Sequence, residues 1–352
     1  MGSERRLESI YYVMAWACHR RCRHCYEDRF RPYVRNELAA VLAEAEANAP
    51  RIITNLPPRL TWLDRSGAAP VERGGRIILA GGEALLEGVR QRVTYPTIER
   101  LQARYAGQDM RIIVQTTGDL LTPVIIREML ERGVWQISIA GVDDFHVGLE
   151  GPEKQRAFVD RLAAMMAAAG VARAGLAAER VLWFEEEGPL YSVFGATADA
   201  WIGKLWPRGR AWANGLSTAT IADNFCARWS GGMNFLRSAE AGSEVAIEPD
   251  GSVYPCCLKT GAPLGNLTEE PLEAILASLR DDPAFRAIDA GRPELMGIEA
   301  GWSEAEFLAR SETVTPQGRP YANLCIGCDR FHEEVLGPRI AAARTRRLAL
   351  AC

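Results

Sequence analysis

Cys18-His19-Arg20-Arg21-Cys22-Arg23-His24-Cys25 follows directly on the apolar run Tyr11–Trp16. A short run of aromatic and β-branched residues predicts a strand buried on both faces, which puts the three thiols in the loop at its end. Three sulfurs this close along the chain can wrap one small inorganic centre. A closed zinc site needs a fourth ligand nearby, and His19 and His24, each next to a cysteine in a tight loop, chelate poorly. Three ligands with an open fourth position is the arrangement of a catalytic centre, and soft thiolates suit zinc or iron–sulfur.

Further along, Arg76–Ala80, Arg111–Gln115 and Trp135–Ala140 repeat the strand pattern, each with glycine just beyond. Helical apolar spacing fills the intervals at Glu37–Ala47, Pro96–Tyr105, Ile125–Arg132 and Phe158–Ala169. Strands alternating with helices predict right-handed βα units and a parallel sheet. The last third reads differently. Glu244–Glu248 and Ser252–Pro255 flank Pro249-Asp250-Gly251, a hairpin signal. A helix is expected after it, with Thr268 as N-cap, Pro271 in its first turn and Leu272, Ile275, Leu276 and Leu279 on its apolar face. A final helix, about Glu333–Ala349, carries Arg344, Arg346 and Arg347 near its C-terminal end, where cations favour the dipole.

The composition fits a soluble globular protein. The chain has 352 residues, 48% hydrophobic and 24% charged, with net charge −4. That balance argues against a dedicated nucleic-acid binder. The longest apolar stretch, Leu162–Val171, is about half of the roughly 20 residues a membrane helix needs. The start, Met1–Arg6, lacks an apolar signal core, so the expected location is cytoplasmic, with no membrane and no nucleic-acid partner. There the nine cysteines read as metal ligands or reactive thiols rather than disulfides. None lies between Cys25 and Cys226, which predicts a boundary near residue 215: a barrel-like unit over 1–215 and a cysteine-rich unit over 216–352.

The C-x3-C-x2-C spacing after the first strand resembles that of radical S-adenosylmethionine (SAM) enzymes. The resemblance implies that Cys18, Cys22 and Cys25 hold a 4Fe–4S cluster whose open iron chelates SAM. Reductive cleavage of SAM then yields a radical that abstracts a substrate hydrogen. Gly81-Gly82-Glu83, at the end of the second strand, resembles the family's glycine-glycine-glutamate motif, which implies contact with the SAM amino group; glycines also let backbone approach a ligand closely. Ala84 stands where proline is usual. Thr117 lies where the family commonly has asparagine, and Ser138-Ile139-Ala140-Gly141 resembles S-x-D-G with Ala140 replacing the acid. Asp143, Asp144 and His146 follow as loop polar groups able to supply it. Arg210, in a G-R-A-like segment, is expected to pair with the SAM carboxylate. His24 joins Gly81, Gly82, Glu83, Thr117, Ser138 and Arg210 as cofactor-binding candidates. The implied fold is a partial (β/α)6 TIM-like barrel with its site at the C-terminal strand ends.

The hairpin, Cys256 and Gly265-Asn266-Leu267 resemble the SPASM/twitch extensions of that family. The dense C-x2-C-x5-C run of a full SPASM domain is missing, so a small α+β unit with one auxiliary 4Fe–4S cluster is implied, on Cys226, Cys256, Cys325 and Cys328. Cys257 competes with Cys256, and only one of two adjacent strand residues normally faces a given site. Cys352 reads as a free thiol. The same four ligands would also suit zinc.

Three readings follow. The first is a radical SAM oxidoreductase acting on a small molecule by dehydrogenation, decarboxylation or rearrangement, with a flavodoxin or ferredoxin as electron donor. The second is the same chemistry on a ribosomal peptide; few residues precede the first strand, which leaves no room there for a leader-recognition domain. The third is a zinc scaffold or electron-transfer protein, which leaves the strand-end Gly81-Gly82-Glu83 turn without a purpose. Trp201, Trp206, Trp212 and Trp229, with Arg208, Arg210 and Arg228, are read as packing at the junction of the two units, or as a wall for a polar ligand.

Overall fold

The computed structural model describes residues 7–65, 67–174, 188–195, 203–228, 234–236 and 242–351. Trp201, Trp229 and Cys352 lie outside them. The class is the expected one, an α/β fold on a mainly parallel sheet. Its strands are β1 (Ser9–Val13), β2 (Arg76–Ala80), β3 (Arg111–Thr116), β4 (Val134–Ala140), β5 (Ala172–Arg173), β6 (Leu190–Phe194), β7 (Glu244–Ile247), β8 (Ser252–Tyr254) and β9 (Gly265–Asn266). Their spatial order is β9-β8-β7-β1-β2-β3-β4-β6-β5. The first six run parallel to their neighbours, and the last two of them are exchanged relative to chain order.

β1 is buried along its whole length, and Ile77, Leu79, Ile112, Val114, Ile137 and Ile139 fill the core beneath the helices. That burial on both faces is why the strands read as continuous apolar runs. The parallel register, with Val13 opposite Ala80 and Thr116 opposite Ile139, gathers the loops after β1, β2 and β3 at one end of the sheet.

Four details differ from the sequence reading. The first helix runs Arg35–Thr54, through Pro50; Ile52 and Ile53 are buried in the core, and that packing outweighs the lost backbone donor. The helix Leu272–Leu279 begins at Pro271. Thr268 caps nothing, because its N–H and hydroxyl both donate to Asn266 Oδ1. In the last helix, Gly337–Ala351, Arg347 makes a two-pronged pair with the buried Glu270 rather than facing the helix end. Finally, β7 pairs parallel to β1, Ser9 opposite Glu244, so the hairpin of the last third extends the parallel sheet. One hydrophobic core continues across both parts, from Leu7 to Ile340.

Candidate active site

The run Met14–Ala17 carries the chain from β1 into the cysteine loop. The turn after β2 packs directly on it: Gly82 N–H donates to Ala15 O (3.1 Å) and Glu83 N–H to Ala17 O (2.9 Å). A Cβ on Gly82 would lie 2.3 Å from Ala17 O and 2.7 Å from Trp16 O. The glycine is therefore required where two backbones touch, in addition to any approach by a ligand.

Glu83 is 2% exposed and does not line the neighbouring cavity. Its carboxylate accepts from Thr116 Oγ1 (2.6 Å), Leu85 N–H (2.9 Å) and Thr117 N–H (2.9 Å). Thr117 Oγ1 lies 2.7 Å from Glu83 and 2.5 Å from Asp119, and its single proton serves one carboxylate at a time. Asp119 in turn holds the cysteine loop. It accepts from Arg20 Nη2 (2.6 Å) and Nε (3.1 Å), and His19 Nε2 lies 2.8 Å away. Burial works against its charge, but the bonds from His19, Thr117 and Arg20 outweigh it and hold the carboxyl well below the usual range. Asp119 is absent from the sequence reading; its signal is a carboxylate two residues past a strand-end threonine.

Arg210 departs from expectation. Its three nitrogens are occupied by backbone carbonyls of the cysteine loop: Nε donates to Cys22 O (2.8 Å), Nη1 to Asp28 O (2.9 Å) and Glu27 O (3.2 Å), and Nη2 to Phe30 O (2.7 Å). The fork expected on a SAM carboxylate is thus a clamp on the loop. Ser138 lies 3.2 Å from Ser192 Oγ and is not part of the cavity wall.

The cavity encloses about 760 Å³ of empty space, partly open to solvent, and is lined by Cys25, Gly81, Gly82, Thr117, His24, His146, Tyr11 and Tyr26 among others. Burial, then the adjacent His146, pushes the His24 imidazole down to about 4, so it is neutral at pH 7. The two rings meet edge-on at 4.7 Å, and His146 Nδ1 is 3.0 Å from Asp143 Oδ1. Among the described residues, buried His24 Nδ1 has no hydrogen-bond partner. Burial pushes the Cys18 thiol up to about 12 and Cys25 to about 11. These groups are thiols in the metal-free chain, so binding a metal must displace their protons.

A second group forms where Phe225–Arg228, the loop after β8 and the helix Leu324–Phe331 meet. Cys226, Cys256, Cys325 and Cys328 line a common cavity of about 420 Å³ with Arg208. Cys256 lines this cavity, while Cys257 does not and packs between the Tyr11 cluster and the Trp206–Phe225 cluster. Trp206 is buried against Phe225, 4.9 Å between ring centres, and Trp212 stacks edge-on with Tyr321 at 5.1 Å.

Residues 240–297 match the family model of SPASM, an iron-sulfur cluster-binding domain. This segment is a SPASM domain. It supplies β7, β8, β9 and Cys256. No curated protein sequence matches the chain. Among solved structures, it is similar to BtrN in complex with AdoMet and 2-DOIA (15% identity, 81% of this chain and 88% of that one, TM-score 0.39). It is also similar to native anSMEcpe with bound AdoMet and Cp18Cys peptide (14%, 96% and 99%, TM-score 0.42). A third is Streptococcus suis SuiB bound to S-adenosylmethionine (11%, 84% and 68%, TM-score 0.36). At these TM-scores none of the three decides anything about this chain. Among the described residues, no helix is long and apolar enough to cross a membrane.

Proposed function

We propose that the chain is a radical SAM oxidoreductase of a small molecule, with Cys18, Cys22 and Cys25 holding a catalytic 4Fe–4S cluster. Cys226, Cys256, Cys325 and Cys328 hold an auxiliary 4Fe–4S cluster in the SPASM-containing unit that begins near residue 215. The observation that carries this reading is the sorting of seven cysteines into two groups, three in one loop, of which Cys25 lines a cavity, and four from distant points of the chain around a second cavity. The donor chemistry supports clusters over single ions. A tetrahedral zinc, with Zn–S of about 2.3 Å, spaces its sulfurs about 3.8 Å apart. Among the described residues, no three cysteine sulfurs all lie within 4.8 Å of one another.

When bound, the cluster and SAM supply one-electron cleavage of SAM and the hydrogen abstraction that follows. The residues of the chain do the rest. Gly81 and Gly82 form backbone wall beside Cys25, Thr117 presents a hydroxyl fixed by its neighbouring carboxylates, and neutral His24 contributes an uncharged ring. Glu83 and Asp119 act from behind, orienting the Thr116-Thr117 turn and the cysteine loop. The cavity's largely aromatic and apolar lining, with Thr117, His24, His146 and Lys204 among its polar groups, has the character of a small-molecule site, and a second iron–sulfur site in the same chain supports a redox reaction. A flavodoxin or ferredoxin is the proposed electron donor.

The test is anaerobic reconstitution with iron and sulfide, then SAM cleavage under a chemical reductant. About eight irons per chain are expected for two such clusters, with release of 5′-deoxyadenosine that Cys22→Ala abolishes. Stoichiometric zinc, or full cleavage by Cys22→Ala, overturns the reading.

A further inference from the structure

The segment Arg208-Gly209-Arg210 carries two arginines that leave one short stretch of backbone toward different cysteine groups. Arg210 grips the first loop through the four carbonyls described above, and Ala211 N–H adds a bond to Cys25 O (3.1 Å). Arg208 turns to the second group. Its Nε donates to Leu258 O (3.0 Å) and its Nη2 to Lys259 O (3.3 Å), the two residues after Cys256-Cys257. Nη2 also reaches Cys325 O (3.4 Å), and Nη1 and Nη2 form a two-pronged pair with Asp329 at 2.9 Å each. Gly209 sits between them at φ +49, and a Cβ there would meet Tyr26 C and O at 2.5 Å. No other residue type fits this crossing without displacing the backbone one residue past Cys25.

We propose that Arg208-Gly209-Arg210 is a strut that positions both cysteine groups from a single backbone segment, and that Arg208 in addition sets the reduction potential of the auxiliary site. The second part rests on the iron–sulfur reading above; the first does not. Arg210 binds only carbonyls, so its charge is delivered to the loop backbone and the loop is held in one conformation around Cys22 and Cys25. Arg208 lines the second cavity with all four cysteines. A fixed cation beside a cluster stabilises the more negative, reduced state, and hydrogen bonding and charge around the sulfurs are the protein's main means of tuning such a centre.

Two measurements test this. In the metal-free protein, thiol alkylation is followed cysteine by cysteine. Arg210→Gln is expected to speed labelling of Cys22 and Cys25 about tenfold, equivalent to about 1.4 kcal/mol, with Cys256 and Cys325 unchanged. Arg208→Gln gives the reverse pattern, and Gly209→Ala speeds both groups. Either arginine variant loosening both groups alike, or Gly209→Ala loosening only one, overturns the strut. In the reconstituted protein, the auxiliary midpoint potential is read by redox titration with electron paramagnetic resonance. It should fall in Arg208→Gln and return in Arg208→Lys. An unchanged potential in a fully iron-loaded Arg208→Gln overturns the electrostatic role. Absence of any auxiliary cluster in the unaltered chain instead defeats the iron–sulfur reading, and the labelling pattern still judges the strut.

Discussion

Gly82→Ala tests the contact on which the first site is built. The added Cβ would fall 2.3 Å from Ala17 O and 2.6 Å from Ala17 C, both backbone atoms in the run entering Cys18, so relief must come from moving one chain off the other. Two backbone hydrogen bonds cross that contact, Gly82 N–H to Ala15 O and Glu83 N–H to Ala17 O. At about 1 kcal/mol for each bond and about 1–3 kcal/mol for overpacking, the cost is about 3–5 kcal/mol. An unfolding entropy of about 2.1 cal/mol/K per residue amounts to about 0.7 kcal/mol/K for this chain, so the melting temperature should drop by about 4–7 °C. Melting is followed by circular dichroism on the metal-free protein. Gly67→Ala serves as control, because its nearest new contact is an ordinary 3.8 Å. On reconstitution, Gly82→Ala should take up about four irons instead of about eight, as the auxiliary group keeps its ligands. Melting indistinguishable from Gly67→Ala, together with full iron uptake, refutes the view that this contact sets the cysteine loop.

Cys256→Ser is expected to halve the iron content, whereas Cys257→Ser leaves it unchanged, because of the two only Cys256 lines the cavity with Cys226, Cys325 and Cys328; equal losses in iron analysis would reject the assignment. Asp119→Asn should destabilise the metal-free chain by about 1.5–3 kcal/mol at pH 7, the worth of hydrogen bonds to a charged group. Because folding holds that carboxyl below its ordinary value, its contribution is complete above the unfolded pKa of about 3.9 and is lost as the pH falls through the folded one. In urea titrations, the gap between parent and Asp119→Asn should therefore be constant above about pH 5 and shrink below about pH 4. A gap that widens in acid would contradict the assignment.

The parts of this molecule that were legible in its sequence are those whose physics is local. Arg76–Ala80 is a strand from end to end because an apolar run bounded by glycine has little else to be, and the Pro249-Asp250-Gly251 turn makes its hairpin for the same reason. The cysteine spacing pointed to a candidate site because ligand chemistry restricts which residues serve. What stayed hidden depends on distant backbone. Arg210 binds carbonyls some 180 positions away in the chain, and a carbonyl leaves no residue signature, so an arginine near a cofactor motif looked like a carboxylate partner. Arg208 was hidden in the same way, whereas Asp119 meets the side chains of His19 and Arg20 about 100 positions away, a pairing that no local pattern announces. Thr268 misled because its neighbour Asn266 offers a nearer acceptor than any helix N-terminus. Adjacent cysteines are ambiguous in sequence, and only the fold separates them, by placing Cys256 and not Cys257 in the wall of the second cavity.

The pairing of β7 with β1 has a practical consequence. Without the last third, β1 becomes an outermost strand, five buried residues long, whose free amide and carbonyl row invites a second molecule to zip onto it. A shortened chain ending near residue 215 should therefore precipitate or form intermolecular sheet rather than yield a working half-enzyme. The SPASM-containing tail doubles as a molecular selvedge, finishing the fabric of the sheet so that it does not fray into its neighbours.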